Sequence, residues 1–214
     1  MTDLTLYTHP MSRGRIARWM MEEAGLPYTV KVVQYGDEMK SPAYRAINAM
    51  GKVPTLVDRG MVVTEAAAIC AHMADLAPQA GLAPPPGTPE RGAYYRWLFF
   101  GAGAVDPAVS VASLEVSTDD PQVYRRVGWG SLTAVAATLE HLLEDGRTHI
   151  LGEAFSAVDV YLGSQIAWGL QFGTLPERPG FAEYVARILD RPAAKRAAEL
   201  DDALMEEVGM GGSA

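Results

Sequence analysis

The sequence predicts an α/β domain over residues 1–78, a linker over 79–89 and an all-α domain over 90–214, on three observations. Strand-like and helix-like stretches alternate through the first third. The stretch "PQAGLAPPPGTPE" (78–90) then breaks the pattern with prolines and glycines that cannot continue a helix. Beyond it the apolar residues recur at helical spacing, and no convincing strand follows.

Each element has a local reason. "LTLY" (4–7) alternates Leu4 and Leu6 to one side, as a strand does. "RIARWMMEEAG" spaces Ile16, Trp19, Met20 and Ala24 for one helix face, with Ser12 placed to cap it and Gly25 and Pro27 to end it. "YTVKVV" (28–33) is β-branched and predicts a second strand. "SPAYRAIN" (41–48) predicts a short helix with Ser41 as cap and Pro42 at its first position. "VPTLVDRGMVV" (53–63) predicts a hairpin turning at Asp58 to Gly60, and "EAAAICAHMADLA" (65–77) a helix stopped by Pro78. The order is β-α-β-α-β-β-α. After the linker, helices are expected in "ERGAYYRWLFFGAG", from "DDPQ" at 119 to Gly146, in "SAVDVYLGSQIAWGLQ", and from "GFAEYV" to "MEEV" near the C-terminus.

Composition removes several function classes. The chain has 214 residues, 49% hydrophobic and 21% charged, with a net charge of −8. No dense Lys/Arg tract occurs, which argues against nucleic-acid binding. The lone cysteine, Cys70, excludes an intrachain disulfide and any CxxC site, and its place on an apolar helix face favours a buried, inert thiol. The four histidines lack metal-ligand spacing, so no metal is expected. "MTDLTLY" has an acid where a signal peptide needs basic residues, and no run approaches the ~20 apolar residues of a membrane helix. A cytoplasmic protein with no membrane partner is the expectation.

Three motifs carry candidate chemistry, and two more are read as structural or set aside. "YTHPMSRGR" (7–15) concentrates hydroxyl, imidazole and guanidinium groups at a strand-to-helix turn. In "GKVPTL" (51–56), Pro54 enters a strand and cannot donate to its ladder. A cis bond there would turn the Val53 backbone outward for pairing with an extended peptide, and a plain strand-entry proline is the alternative. In "TEAAAI" (64–69), Thr64 is placed to cap a helix and Glu65 to hold an ammonium group, while the N–H groups of Glu65 and Ala66 suit a carboxylate. Simple charge compensation at a helix start is the alternative. "FSAVD" (155–159) is read as a structural capping box, with Asp159 in the place of Glu or Gln and Phe155 and Val160 as a hydrophobic staple. "GAGAVD" (101–106) lacks the preceding strand and third glycine of a dinucleotide loop.

Together, "YTHPMSRGRIARW", "GKVPTL", "TEAAAI", "FSAVDVYL" and "RILDRPAAKRAAE" resemble the cytosolic glutathione transferases, over essentially the whole chain. The resemblance implies a thioredoxin-like βαβαββα first domain, an all-helical second one, and glutathione as co-substrate. It implies that Val53, before a cis Pro54, pairs with the cysteinyl part of glutathione. Glu65 and Ala66 would hold its γ-glutamyl end. The family commonly has Ser at the second place, so Ala66 removes one hydroxyl contact. Lys40 and Lys52 are candidates for the glycyl carboxylate. Many bacterial relatives have His where Met39 stands.

In the family the hydroxyl that stabilises the thiolate comes from a Tyr, or from a Ser at the first helix, and in some bacterial members a Cys does a different job. No Cys lies in residues 7–15. Ser12 is the leading donor, Tyr7 the second and His9 the third. Arg13 and Arg15 are expected either to add positive potential near the sulfur or to be solvated helix charges. An electrophile pocket between the domains is expected to involve His9, Met11, Tyr94, Trp97 and Phe100. The implied activity is thiolate attack on a small hydrophobic electrophile by a homodimer. A ligand-binding or scaffold protein with little turnover is the alternative, as is a glutathione-dependent peroxidase or isomerase.

Overall fold

The computed structural model describes residues 3–208 other than 115, 117 and 119. Residues 1, 2, 115, 117, 119 and 209–214 of the expected domains lie outside the described residues. One unit runs to Leu82 and resumes at Asp190; the other spans Ala83–Leu189. The first break falls inside the expected linker. The return of the chain from Asp190 differs from the expected assignment of 190–214 to the helical domain.

The first unit is built on β1 (Leu4–Thr8), where Leu4, Leu6 and Thr8 are buried and the residues between them only half so. The helix α1 (Gly14–Ala24) follows, then β2 (Thr29–Val32). Two single turns, α2 (Asp37–Lys40) and α3 (Pro42–Arg45), come next; α2 is an element the sequence reading lacks. Ser41 caps α3 as expected, its hydroxyl accepting from Tyr44 N–H. β3 (Thr55–Asp58) and β4 (Met61–Thr64) form the predicted hairpin. Its two-residue turn has positive φ at both Arg59 (49°) and Gly60 (85°), the pair that matches the twist of the strands. The helix α4 (Ala66–Leu76) and a 3₁₀ turn (Pro78–Ala80) complete the N-terminal part.

The sheet order is β2-β1-β3-β4, with β1 parallel to β2 and antiparallel to β3, and β4 antiparallel to β3. Leu4, Leu6, Leu56, Ile16, Met20, Ile69 and Met73 are fully buried. Each such side chain contributes roughly 1.5–3 kcal/mol from burial. A smaller cluster gathers Val33, Met39 and Tyr44, with Tyr7, Ile47 and Val53 against it.

The second unit is helical: α5 (Pro89–Phe100), α6 (Asp106–Ser113), α7 (Pro121–Tyr124), α8 (Leu132–Leu143), α9 (Ala157–Gln171) and α10 (Phe181–Leu189). "GAGAV" is a π-helical turn joining α5 to α6, closed by Asp106 N–H on Gly101 C=O. Pro107 lacks the N–H that a regular helix needs two residues into α6, and the wider turn absorbs that defect. The single helix expected from 119 to Gly146 is two, α7 and α8, each capped separately by Asp120 and Ser131. Among the described residues no helix is long and apolar enough to cross a membrane.

The last helix, α11 (Pro192–Glu207), returns to the first unit and packs on α1. Three ion pairs align them: Arg18 with Asp201 at 2.9 Å, Arg15 with Asp202 at 2.7 Å, and Arg191 with Glu23 at 2.7 Å. The Arg18–Asp201 pair is buried, and its desolvation cost leaves it specifying register more than adding stability.

Candidate functional site

The register of the sheet gathers the candidate residues at one end. Tyr7 pairs with Thr55, and Thr55 with Thr64. Three chain segments leave the sheet just past this row: residues 9–12 after β1, Pro54 and Val53 before β3, and Glu65 and Ala66 after β4. β2 ends there too, with Val33 N–H donating to Thr8 C=O at 2.9 Å. Adjacent strands lie about 4.8 Å apart, so this row spans roughly 10 Å, the scale of an extended tripeptide.

The β1 exit is a tight turn. Ser12 N–H donates to His9 C=O at 3.0 Å, and the Ser12 hydroxyl donates to the same carbonyl at 2.6 Å. Ser12 Oγ also accepts from Gly14 N–H at 2.9 Å, but the residue before α1 is Arg13 and the helix has no side-chain capping bond, so Ser12 closes the turn leading into α1 and is not the N-cap expected of it. Gly14 is required here, because a Cβ at that position would overlap the Thr8 and Ser12 side-chain oxygens. His9 is buried, and its Nδ1 accepts from Met11 N–H at 3.2 Å. Burial lowers the His9 pKa, against the opposing influence of Gln34, so the imidazole is neutral and able to accept.

Arg15 donates to Pro10 C=O and pairs with Asp202. It is therefore a structural tie to α11 and not a solvated helix charge. Arg13 is exposed. Tyr7 is half-buried, its ring 5.9 Å from that of Tyr44 and its hydroxyl 3.4 Å from Lys31 Nζ.

The β3 entrance has the expected cis Val53–Pro54 bond. The preceding loop is tied down by its own carbonyls: Lys52 C=O accepts from Tyr44 Oη at 2.7 Å and from Asn48 Nδ2 at 2.8 Å. Lys40 Nζ donates to Gly51 C=O at 2.6 Å and Met50 C=O at 3.2 Å, which places an ammonium group beside the strand entrance. Lys52 is exposed, and Met39 is buried in the smaller core cluster.

At the β4 exit, Glu65 is the residue before α4 and has φ 65° and ψ 119°, a conformation disfavoured for a side chain with a Cβ. Such strain persists where surrounding structure imposes it, often at ligand-binding sites. Thr64 stays in β4, so the expected Thr64 cap is replaced by Glu65 in an unusual backbone state. The Glu65 side chain is exposed and makes no capping bond among the described residues.

The remaining candidates are placed as follows. Cys70 is fully buried and its thiol is pushed up by desolvation, which makes it an unreactive core residue. Tyr94 is buried in the second unit, Trp97 nearly so, and Phe100 is half-buried with its ring edge-on to Trp97 at 5.5 Å. Met11 is 55% exposed. Ser156 and Asp159 form the reciprocal capping box predicted for "FSAVD". His72, expected to be a surface or packing residue, bonds the buried Asp58 at 3.0 Å. Among the described residues no group of three or more His, Cys, Asp and Glu side chains is placed to hold a metal ion. Tyr35, which the sequence reading passed over, donates its hydroxyl to Met11 C=O at 3.0 Å; an aromatic beside a glycine in a polar loop was the available signal.

Comparison with known proteins agrees with this geometry. Residues 11–76 match the family described as glutathione S-transferase, N-terminal domain. Glutathione S-transferase 3 of Schizosaccharomyces pombe is 26% identical over 210 residues, 89% of this chain and 86% of that protein. Glutathione S-transferase GST-4.5 of Xanthomonas campestris is 28% identical over 181 residues, 79% of this chain and 84% of the relative. Among solved structures, a theta class glutathione S-transferase from Xanthomonas axonopodis with glutathione bound is 29% identical, with a TM-score of 0.72 over 92% of this chain and 98% of that one. A glutathione transferase from Methylococcus capsulatus is 26% identical, with a TM-score of 0.75 over 94% and 99%. These matches support the glutathione transferase family for this chain, and the family match falls on the stretch that carries Ser12, the Val53–Pro54 bond and Glu65.

Proposed function

We propose that this protein is a glutathione transferase that holds bound glutathione as a thiolate, with Ser12 as the donor, and directs it at a small hydrophobic electrophile. The observation that carries this reading is the cross-strand row Tyr7–Thr55–Thr64. Past it lie a hydroxyl before a helix, a strand entrance at the cis Val53–Pro54 bond and a strained acidic residue before a second helix.

The Val53 backbone pairs with the cysteinyl unit of glutathione. Glu65 takes the γ-glutamyl ammonium, and the first N–H groups of α4 take its carboxylate. Lys40 and Lys52 face the glycyl carboxylate. The cysteinyl thiol loses its proton to solvent, and the resulting thiolate accepts from the Ser12 hydroxyl near the positive end of α1. That hydroxyl now donates to His9 C=O, a partner it can leave at low cost. The carbonyl keeps its second bond, from Ser12 N–H. The thiolate then attacks the electrophilic carbon, and the leaving group departs with its bonding pair. Cys70, buried and protonated, takes no part. Of the proposed electrophile-lining residues, Met11 of the first unit is exposed and Phe100 of the second is half-buried, while His9 and Tyr94 are each buried within their own units.

A second reading, glutathione binding with little turnover, is favoured by Ala66 and by the occupied Ser12 hydroxyl. Retention on glutathione-agarose together with turnover of a chloronitroarene supports the transferase; retention without turnover of any electrophile tried supports the second reading. Homodimerisation belongs to the same proposal and is supported by Met61 and Val62, exposed apolar residues on the edge strand β4. Light scattering that reports a monomer would refute it.

A further inference from the structure

The turn that carries Ser12 is gripped from outside by Tyr35. This residue is 49% exposed, on the loop that follows β2. An exposed tyrosine normally points its hydroxyl at water. Here the hydroxyl donates to Met11 C=O at 3.0 Å, across 24 residues of sequence. The ring lies on the His9 imidazole, with centroids 4.2 Å apart at 46°. His9 Nδ1 in turn accepts from Met11 N–H. Tyr35 thus controls both peptide groups of Met11, one directly and one through His9.

The consequence falls on Ser12. The Met11 carbonyl and the Ser12 N–H belong to one planar peptide unit. With the carbonyl held by Tyr35, the N–H is aimed at His9 C=O and the Ser12 N–Cα bond is placed; Ser12 C=O, which accepts from Arg15 N–H at 3.2 Å, holds the residue's other side and so the Cα–Cβ direction. Only side-chain rotation is left to choose between His9 C=O and an incoming sulfur. Burial keeps the Tyr35 phenol neutral, and so a donor, although nearby Arg13 pulls the other way.

We infer that Tyr35 is a positioning residue for thiolate formation: it orients the Met11–Ser12 peptide and thereby the Ser12 hydroxyl. The inference rests on the reading of Ser12 as the thiolate donor.

The test is a double-mutant cycle of Tyr35→Phe and Ser12→Ala, read as the pKa of the bound glutathione thiol and as the pH profile of kcat/KM. Phe keeps the ring on His9 and removes only the hydroxyl bond. In the wild-type background, Tyr35→Phe is expected to raise the thiol pKa and lower kcat/KM roughly three- to five-fold near pH 6.5, as loss of one exposed hydrogen bond would. The gap should close above pH 9, where the thiol ionises unaided, and KM for glutathione should stay within about two-fold. In the Ser12→Ala background the same change should have no effect. Tyr35→Leu, which also releases His9, should lose more than Tyr35→Phe. Both variants should melt within a few degrees of wild type, because the side chain is half-exposed. An unchanged thiol pKa in Tyr35→Phe, or equal losses with and without Ser12, would overturn the inference while leaving the glutathione reading intact. A wild-type protein that forms no bound thiolate would overturn both.

Discussion

Two serines stand before helices in this protein, and they are used differently. Ser156 is buried, and Asp159 three residues on completes a reciprocal capping box. The same carboxylate accepts from Ile150 N–H at 2.8 Å and Tyr184 Oη at 2.9 Å, so the whole cluster is closed on itself. Ser12 has Arg15, not an acid, three residues on, and that arginine is tied to Pro10 and Asp202. Its hydroxyl rests on a backbone carbonyl that has a second donor. A hydroxyl matched by a carboxylate serves the fold, whereas one resting on a replaceable acceptor can be lent to a ligand.

The largest expected effect is on the closed cluster. Asp159→Ala leaves the Ile150 and Ser156 N–H groups and the Tyr184 hydroxyl buried without an acceptor, and should cost about 3 kcal/mol or more in denaturant unfolding. A loss under about 1 kcal/mol would show that the cluster is not closed in solution. Next comes Ser12→Ala, which should lower kcat/KM for a chloronitroarene roughly 10- to 100-fold and raise the bound thiol pKa. Its stability cost should stay near 1 kcal/mol. Ser156→Ala should show the reverse pattern, with about 1–2 kcal/mol lost and the turnover of folded protein kept. If the two serine variants behave alike, the distinction fails. Tyr7→Phe should change kcat/KM no more than about two- to three-fold, because its hydroxyl is engaged by Lys31 of the edge strand β2. A larger loss than that of Ser12→Ala would transfer the donor role to Tyr7.

The smallest effect is proton linkage, and the two regions should show opposite signs. Burial lowers the His9 pKa below its unfolded value of about 6.5. The unfolded chain then binds the proton more readily, so the His9 contribution is present above about pH 6.5 and fades as pH falls through the lowered value. Asp159 is raised above the usual carboxylate range, chiefly by desolvation. Its contribution is fullest in acid, below the ordinary carboxylate pKa, and fades as pH rises through the raised value. Unfolding curves between pH 7 and 5 should show a loss of stability that His9→Asn reduces. No difference between the two proteins would remove His9 from the linkage.

What the sequence determined by itself is local. Alternation drew β1, the Arg59–Gly60 turn set the hairpin, Ser41 and Pro42 set α3, and Ser156 with Asp159 opened α9. Each is decided by neighbours within a few residues, through side-chain period, φ preference or a capping bond. The acidic residue before α4 was legible for the same reason, because helix-end chemistry is local, whereas at Val53–Pro54 local chemistry left a cis bond and a plain strand-entry proline both open, and only the family resemblance implied the cis bond. Tertiary structure decided the partners. Arg15 reads as a free cation beside the site until α11 supplies Asp202, 187 residues away. Tyr35 reads as a loop aromatic until the parallel pairing of β1 and β2 carries it over Met11. The destination of the Ser12 hydroxyl depends on how the turn at His9 closes. Pairings across such distances leave no mark on the spacing of nearby residues; they exist only once the chain has folded.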